Sequence, residues 1–171
     1  MDLKAKLRHV MNFPKEGVDF IDITTVLQDA EAFKECLDLM KEKINTFGKV
    51  DLIAGPESRG FVFGAPLSYS MGKGFIPIRK KGKLPYKTIR AEYQLEYGID
   101  MLEMHEDAVK PGQRVVIVDD LLATGGTTEA NIKLIEKLGG EIAGIVYFIE
   151  LSFLNGRDKL KGYLIESIVQ F

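Results

Sequence analysis

Residues 115–128 read VVIVDDLLATGGTT, and the three parts of this stretch ask for three kinds of structure. Val115, Val116, Ile117 and Val118 make an unbroken apolar run of β-branched side chains, the pattern of a parallel strand covered on both faces. Asp119 and Asp120 fall at the carboxyl end of that strand, where open parallel sheets bind their ligands. Ala123, Thr124, Gly125, Gly126 and Thr127 follow, with two glycines that let successive backbone N–H groups turn toward one point and threonine hydroxyls at a helix start. A phosphate held there gains direct donors and a helix-dipole contribution of roughly 0.3 to 2 kcal/mol. Two adjacent carboxylates can accept hydrogen bonds from vicinal hydroxyls. A diol acceptor beside a phosphate cradle describes a site for a ribose 5-phosphate.

Other proteins also place paired acids after an apolar strand. A nucleotide-hydrolysing P-loop protein would need a G-x-x-x-x-G-K-[ST] segment, and none occurs. Phosphoacceptor receiver domains carry their acid pair near the N-terminus rather than at Asp119. A plain helix cap requires neither two acids nor two glycines.

The pattern continues on both sides of this stretch. Residues 51–55, DLIAG, predict a short buried strand, 56–60 a turn, 61–72 a helix and 74–80 another strand, a strand, helix, strand crossover. Residues 87–103 lack a helical stripe and are rich in Tyr, Ile and Thr, which predicts a hairpin of two strands or a strand with a flexible loop. A helix over 127–138 stops at Gly139-Gly140, and strands follow at 141–150 and near the C-terminus. At the other end, Leu3, Leu7, Val10 and Met11 predict one short amphipathic helix closing before Phe13-Pro14, and 13–26 a loop marked by Pro14 and Gly17. Asp29 is placed to cap a helix whose stripe is Phe33, Leu37, Met40, Ile44 and Phe47, bordered by Cys36 and stopped by Gly48. The expected fold class is α/β, a mostly parallel central sheet flanked by helices, as one domain over 1–171 without internal repeats.

Composition narrows the class further. With 46% apolar and 28% charged residues in 171, the chain suits one globular core. It has neither a long apolar span nor a signal-type N-terminus, so a soluble cytoplasmic protein with no membrane partner is expected. A single cysteine, Cys36, excludes an intrachain disulfide, and no Cys and His cluster is spaced for zinc. A net charge of -2 argues against a nucleic-acid partner. Basic residues are nonetheless concentrated in RKKGKLPYKTIR, residues 79–90, which contains no acid and is either a solvated loop or an anion site. His9 and His105 fit no catalytic motif and are expected at the surface.

Four apolar residues, two acids and a T-G-G-T loop in this order resemble the phosphoribosyl pyrophosphate motif of the type I phosphoribosyltransferases. The LLATGGT ending is similar to the adenine-specific branch of that family. The resemblance runs along nearly the whole chain, through FPKEGVDFIDIT, DLIAGPESRGFVFG, IPIRKKGKLP, YQLEYG and VVIVDDLLATGGTT. It implies the type I fold with a small N-terminal hood, formed mainly by 1–28 with the C-terminal segment as a further candidate, and a flexible hairpin loop. It also implies a purine salvage reaction in which adenine and 5-phosphoribosyl 1-pyrophosphate give AMP and pyrophosphate.

Residue roles follow from the same resemblance. Asp119 and Asp120 would bind the ribose hydroxyls, and Ala123, Thr124, Gly125, Gly126 and Thr127 the 5-phosphate. Ser58 and Arg59 would face the pyrophosphate, with Arg79, Lys80 and Lys83 available to the same anion. Cations there stabilise the charge that develops as the leaving group departs. The family residue matching Arg79 reaches a neighbouring subunit, which implies a homodimer. Mg²⁺ would arrive with the substrate, held mainly by pyrophosphate, ribose hydroxyls and water rather than by a dedicated protein cage. Glu96 and Tyr97 match the catalytic loop, where a glutamate could take the N9 proton and loop closure could exclude water. Asp19 would read adenine through its main chain, with Phe20, or alternatively Phe13, against the purine and Ile21 beside it. Relatives often carry an apolar residue at Asp19 and a basic one at Ile21. Transfer to another purine, such as xanthine, therefore stays open, as does a non-catalytic phosphoribosyl pyrophosphate sensor.

Overall fold

The computed structural model describes residues 1–95 and 98–171. By its internal contacts the chain divides into two units, Met1–Leu39 and Met40–Phe171.

The first unit holds helix α1 (Leu3–Lys6), strands β1 (Arg8–Met11) and β2 (Asp19–Asp22), the short helix α2 (Thr24–Leu27) and the start of helix α3 (Ala30–Asn45). Here the structure departs from the single N-terminal helix expected from Leu3, Leu7, Val10 and Met11. Helix α1 ends at Lys6, and residues 8–11 pair antiparallel with β2 from Arg8↔Asp22 to Met11↔Asp19. Leu3 and Leu7 are buried while Met11 is 65% exposed, so the apparent helical spacing joined two unrelated elements. The expected loop over 13–26 is likewise only partly a loop. The turn survives around Gly17, whose N–H donates to Asn12 Oδ1 at 2.9 Å, but β2 and α2 follow it. Asp29 caps α3 as expected, its Oδ1 accepting from the Glu31 and Ala32 N–H groups at 3.1 Å each. Cys36 lies fully buried in the middle of the helix's apolar face, where burial pushes its thiol pKa well up.

The second unit carries a sheet of seven strands. They are β3 (Leu52–Pro56), β4 (Gly74–Lys80), β5 (Thr88–Leu95), β6 (Gly98–His105), β7 (Arg114–Leu122), β8 (Glu141–Glu150) and β9 (Ile165–Gln170), in the order β5-β6-β4-β3-β7-β8-β9. The five strands from β4 to β9 in that order run parallel, and the β5-β6 hairpin adds an antiparallel edge. Of the two forms open for residues 87–103, the two-stranded hairpin is the one formed. Helices α4 (Arg59–Met71) and α5 (Gly126–Lys137) make the crossovers, and two 3₁₀ turns, Ser152–Leu154 and Gly156–Leu160, lead from β8 to β9. Val115, Val116, Ile117 and Val118 are fully buried, as a strand covered on both faces requires. Among the described residues, no helix is long and apolar enough to cross a membrane.

This strand order positions a site. From β3 the chain crosses through α4 to β4 on one side; from β7 it crosses through α5 to β8 on the other. Neighbouring strands β3 and β7 therefore lead into loops that diverge, leaving a crevice beyond their carboxyl ends. The β3 ladder to β7 stops at Ala54↔Ile117, so Asp119 and Asp120 extend past it on a strand that stays paired to β8 at Asp119, Leu121 and Leu122.

Candidate functional site

Two loops meet at this crevice. From β7, the Asp119 carboxylate accepts the N–H of Asp120 at 2.8 Å, which fixes both acids at the strand end. Asp119 keeps partial solvent access, yet protein surrounds it at longer range. That burial, with the Asp120 carboxylate beside it, holds its pKa well above the usual carboxylate range. Asp120 is 5% exposed. Its Oδ2 stands 2.9 Å from Arg59 Nε, as a contact of opposite charges rather than an aligned hydrogen bond. Arg59 opens α4 on the other loop, its side chain 44% exposed and its charge thus shared between Asp120 and the crevice. Gly60 permits this approach. A Cβ on it would sit 2.8 Å from Pro56 Cδ and 3.1 Å from Asp119 Oδ1.

Beyond the acids, Asp119 and residues 121–128 line a small cavity of about 90 Å³. At about 30 Å³ per water it has room for roughly three waters or one phosphoryl group. The two loop glycines are not equivalent. Gly125 takes φ +88° at the helix cap, and a Cβ there would lie 2.6 Å from the Gly156 carbonyl oxygen. Gly126 begins α5 with only ordinary contacts around a Cβ position, the nearest at 3.9 Å. Gly156, in turn, packs so tightly that its own Cβ would meet the Ala123 carbonyl oxygen at 2.4 Å. Thr128, the second residue past Gly126, shares a buried hydrogen bond with the phenol of Tyr147, which is paired with Asp119 across β7 and β8.

Residues 22–164 match the phosphoribosyl transferase domain family. The chain is 75% identical over 171 residues, all of both chains, to the adenine phosphoribosyltransferase of Acetivibrio thermocellus. The crystal structure of the Thermoanaerobacter pseudethanolicus adenine phosphoribosyltransferase superposes with a TM-score of 0.96 at 55% identity, covering 99% of this chain and 98% of that one. The Saccharomyces cerevisiae enzyme, solved with an imino-altritol bisphosphate and adenine, gives 0.94 at 39% identity, covering 98% and 96%. This chain belongs to the adenine phosphoribosyltransferase family.

Several of the residues expected for the family's site come together in the second unit, and some do not. Asp119, Asp120 and Arg59 converge, and Ala123, Thr124, Gly125, Gly126 and Thr127 form one continuous wall. Ser58 precedes α4 and makes no side-chain capping bond. Arg79 and Lys83 meet at a residue that sequence reasoning passed over, Glu57, at 3.3 Å and 2.8 Å. Glu57 also accepts the Lys80 N–H at 2.8 Å. Burial works to raise its pKa, but the Lys83 and Lys80 hydrogen bonds and the Arg79 charge outweigh it and hold the carboxyl low. Lys80 departs from its basic neighbours. Alternate residues on β4 face opposite ways, and its ammonium lies 3.9 Å from Asp100 instead.

Glu96 and Tyr97 lie outside the described residues. In the first unit, Asp19 bonds His9 Nδ1 at 2.8 Å, Phe20 is half-buried edge-on to Phe13 at 5.2 Å, and Ile21 is 5% exposed. The expectation of two plain surface histidines needs amendment, since His105 is half-buried and its Nε2 takes the Tyr86 N–H at 3.3 Å. Among the described residues, no group of three or more His, Cys, Asp or Glu is set to hold a metal ion.

The other residue missed in the sequence is Gly156. Its only signal was an Asn-Gly pair between two strands, which reads as a turn and nothing more.

Proposed function

We infer that this protein transfers the phosphoribosyl group of Mg²⁺-bound 5-phosphoribosyl 1-pyrophosphate to adenine, giving AMP and pyrophosphate. The bond from ribose C1 to the pyrophosphate oxygen breaks, N9 of the base bonds to C1, and the N9 proton leaves. The observation that carries this reading is the meeting of Asp119, Asp120, the residue 123–127 loop and Arg59 at the crevice between β3 and β7.

In this reading Asp119 and Asp120 hold the ribose hydroxyls and lie close to the positive charge that builds on the ring. Ionised Asp119 is disfavoured in the free protein, so the hydroxyl donors of a bound diol would supply what burial withholds. Arg59, with Ser58, faces the pyrophosphate and takes up charge as it departs. Arg79 and Lys83 are a reserve of positive charge, neutralised by Glu57 until an anion with more charge competes for them. Lys80 contributes its backbone N–H to Glu57 and turns its charge toward Asp100. When bound with the substrate, Mg²⁺ would offset part of the pyrophosphate charge, held by substrate oxygens and water rather than by residues of this chain. Glu96 as proton acceptor and Tyr97 beside it, base reading by Asp19, Phe20 and Ile21, and a homodimer that shares Arg79 are carried over from the family resemblance.

Steady-state assays with adenine, hypoxanthine, guanine and xanthine test this reading. Turnover of adenine alone is expected. Turnover confined to another base overturns the choice of adenine, and binding of phosphoribosyl pyrophosphate without any turnover favours the sensor. Sedimentation at micromolar concentration, with a dimer expected and a monomer contradicting it, tests the association.

A further inference from the structure

We infer that Lys159 is a further phosphate-binding residue, adding a full positive charge to the 5-phosphate pocket; this rests on the reading above. The residue 123–127 loop offers only backbone N–H groups, threonine hydroxyls and a helix dipole worth about half a charge. A phosphate monoester brings nearly two negative charges at neutral pH. Lys159 stands at the mouth of this loop. Its Nζ is 4.0 Å from where a Cβ on Gly126 would be, and its own Cβ is 3.5 Å from the corresponding point on Gly125.

The rest of its turn is built to hold it there. Arg157 grips Glu150 through Nε and Nη2, each at 2.7 Å, and donates to the Ile165 carbonyl at 3.1 Å. Leu160 is 1% exposed, and Gly156 is wedged against Ala123. Between these anchors Lys159 is exposed, and no hydrogen bond or ion pair joins it to another of the described residues. The nearby acid Glu129 is engaged 3.4 Å from Lys133 instead. Lys159 also borders a larger cavity of about 380 Å³ that shares Gly126 with the phosphate pocket, so its ammonium has open space in which to reach an anion. A rigid backbone carrying an uncommitted cation beside a helix N-terminus is the arrangement a phosphate site uses.

The test compares the wild type with Lys159→Met, Lys159→Glu and Lys159→Arg. For Lys159→Met the KM for phosphoribosyl pyrophosphate is expected to rise roughly 5- to 20-fold, a charge-assisted contact discounted for solvent exposure, with kcat changed little. The rise is larger for Lys159→Glu and largely reversed in Lys159→Arg. By calorimetry Lys159→Met weakens AMP and leaves adenosine, which lacks the phosphate, as it was. Added salt should weaken AMP binding less in Lys159→Met than in the wild type. Equal AMP affinity in all four proteins overturns the assignment, as does a loss of kcat with KM and AMP affinity intact. A wild type that neither turns over adenine nor binds AMP overturns the functional reading itself, whatever Lys159 does. Thermal unfolding of each variant checks the fold, and a misfolded Lys159→Met rescued by Lys159→Arg in stability but not in AMP affinity also counts against the assignment.

Discussion

Replacing Gly125 by alanine should damage the phosphate loop far more than the same change one residue later. At φ +88° a Cβ is strained before any neighbour is considered, at a cost of about 1 to 3 kcal/mol. The added atom would also stand 2.6 Å from the Gly156 carbonyl oxygen. Both sides of that contact are backbone, and Gly156 cannot retreat because it is packed against Ala123, so overpacking adds about 1 to 3 kcal/mol. The total is about 2 to 6 kcal/mol. For a chain of this size each kcal/mol lowers Tm by about 2 to 4 °C, so Gly125→Ala should lose at least about 4 °C. If the loop yields locally instead, the same strain falls on substrate binding, and 2 kcal/mol is a rise of about 30-fold in the KM for phosphoribosyl pyrophosphate. Gly126→Ala meets nothing closer than 3.9 Å and gains helix propensity, so its Tm should hold or rise. Thermal unfolding and steady-state kinetics on both variants decide the matter. A Gly125→Ala protein with wild-type Tm and KM, or a Gly126→Ala protein that loses as much Tm, refutes the reasoning.

Asp119→Asn should stabilise the free protein near neutral pH while weakening phosphoribosyl pyrophosphate binding at least tenfold, because burial and Asp120 oppose its charge. Its raised pKa means the wild type is fully stabilised only below the unfolded pKa and loses that stability as pH rises through the folded one; the Tm advantage of the variant should therefore vanish in acid. Glu150→Gln should act in the opposite sense. Hydrogen bonding to Arg157 lowers the Glu150 pKa, so wild type exceeds the variant in Tm at neutral pH and the gap closes as pH falls through the folded pKa, below the ordinary carboxylate range. Tyr147→Phe leaves the buried Thr128 hydroxyl without its partner and should cost about 1 to 3 kcal/mol in urea unfolding, with little change in kcat. Glu57→Gln should release Arg79 and Lys83 from their competing carboxylate and raise the affinity for pyrophosphate, as read by product inhibition, whereas Arg79→Met should lower it.

What could be read from the chain depended on whether a feature is local. The β7 strand, both acids and the phosphate loop are contiguous over residues 115–127, so their periodicity and turn chemistry stand in one stretch of sequence. The crossovers on either side of them were legible for the same reason, since an apolar run followed by a helical stripe is a local pattern. The N-terminal hairpin was not. Residues 8–11 become a strand because β2 supplies hydrogen-bond partners from eight to fourteen positions away, and four residues are too few to display a period of their own. Leu3 and Leu7 belong to a different element from Val10, and helical spacing joined them by accident.

The same distinction explains which parts of the site were found. Glu57 looks like an ordinary turn residue until β3 and β4 lie side by side, when the 22 positions separating it from Arg79 contract to 3.3 Å. Gly156 and Lys159 are further from the loop in sequence, and only the parallel placement of β7, β8 and β9 brings their turn back against Ala123 and Gly125. Both ends of the crevice therefore consist of a contiguous motif and a counterpart delivered by topology. At the pyrophosphate end the counterpart is the pair Arg79 and Lys83, brought to Glu57 of the contiguous turn, whose carboxylate restrains both cations and so tunes charge. At the phosphate end it is a glycine that sets shape and a lysine that adds charge. Changes to Lys159, Arg79 or Lys83 should thus shift affinities by measured factors and leave the fold in place, whereas a side chain on Gly156 would meet the Ala123 backbone and disturb the loop itself.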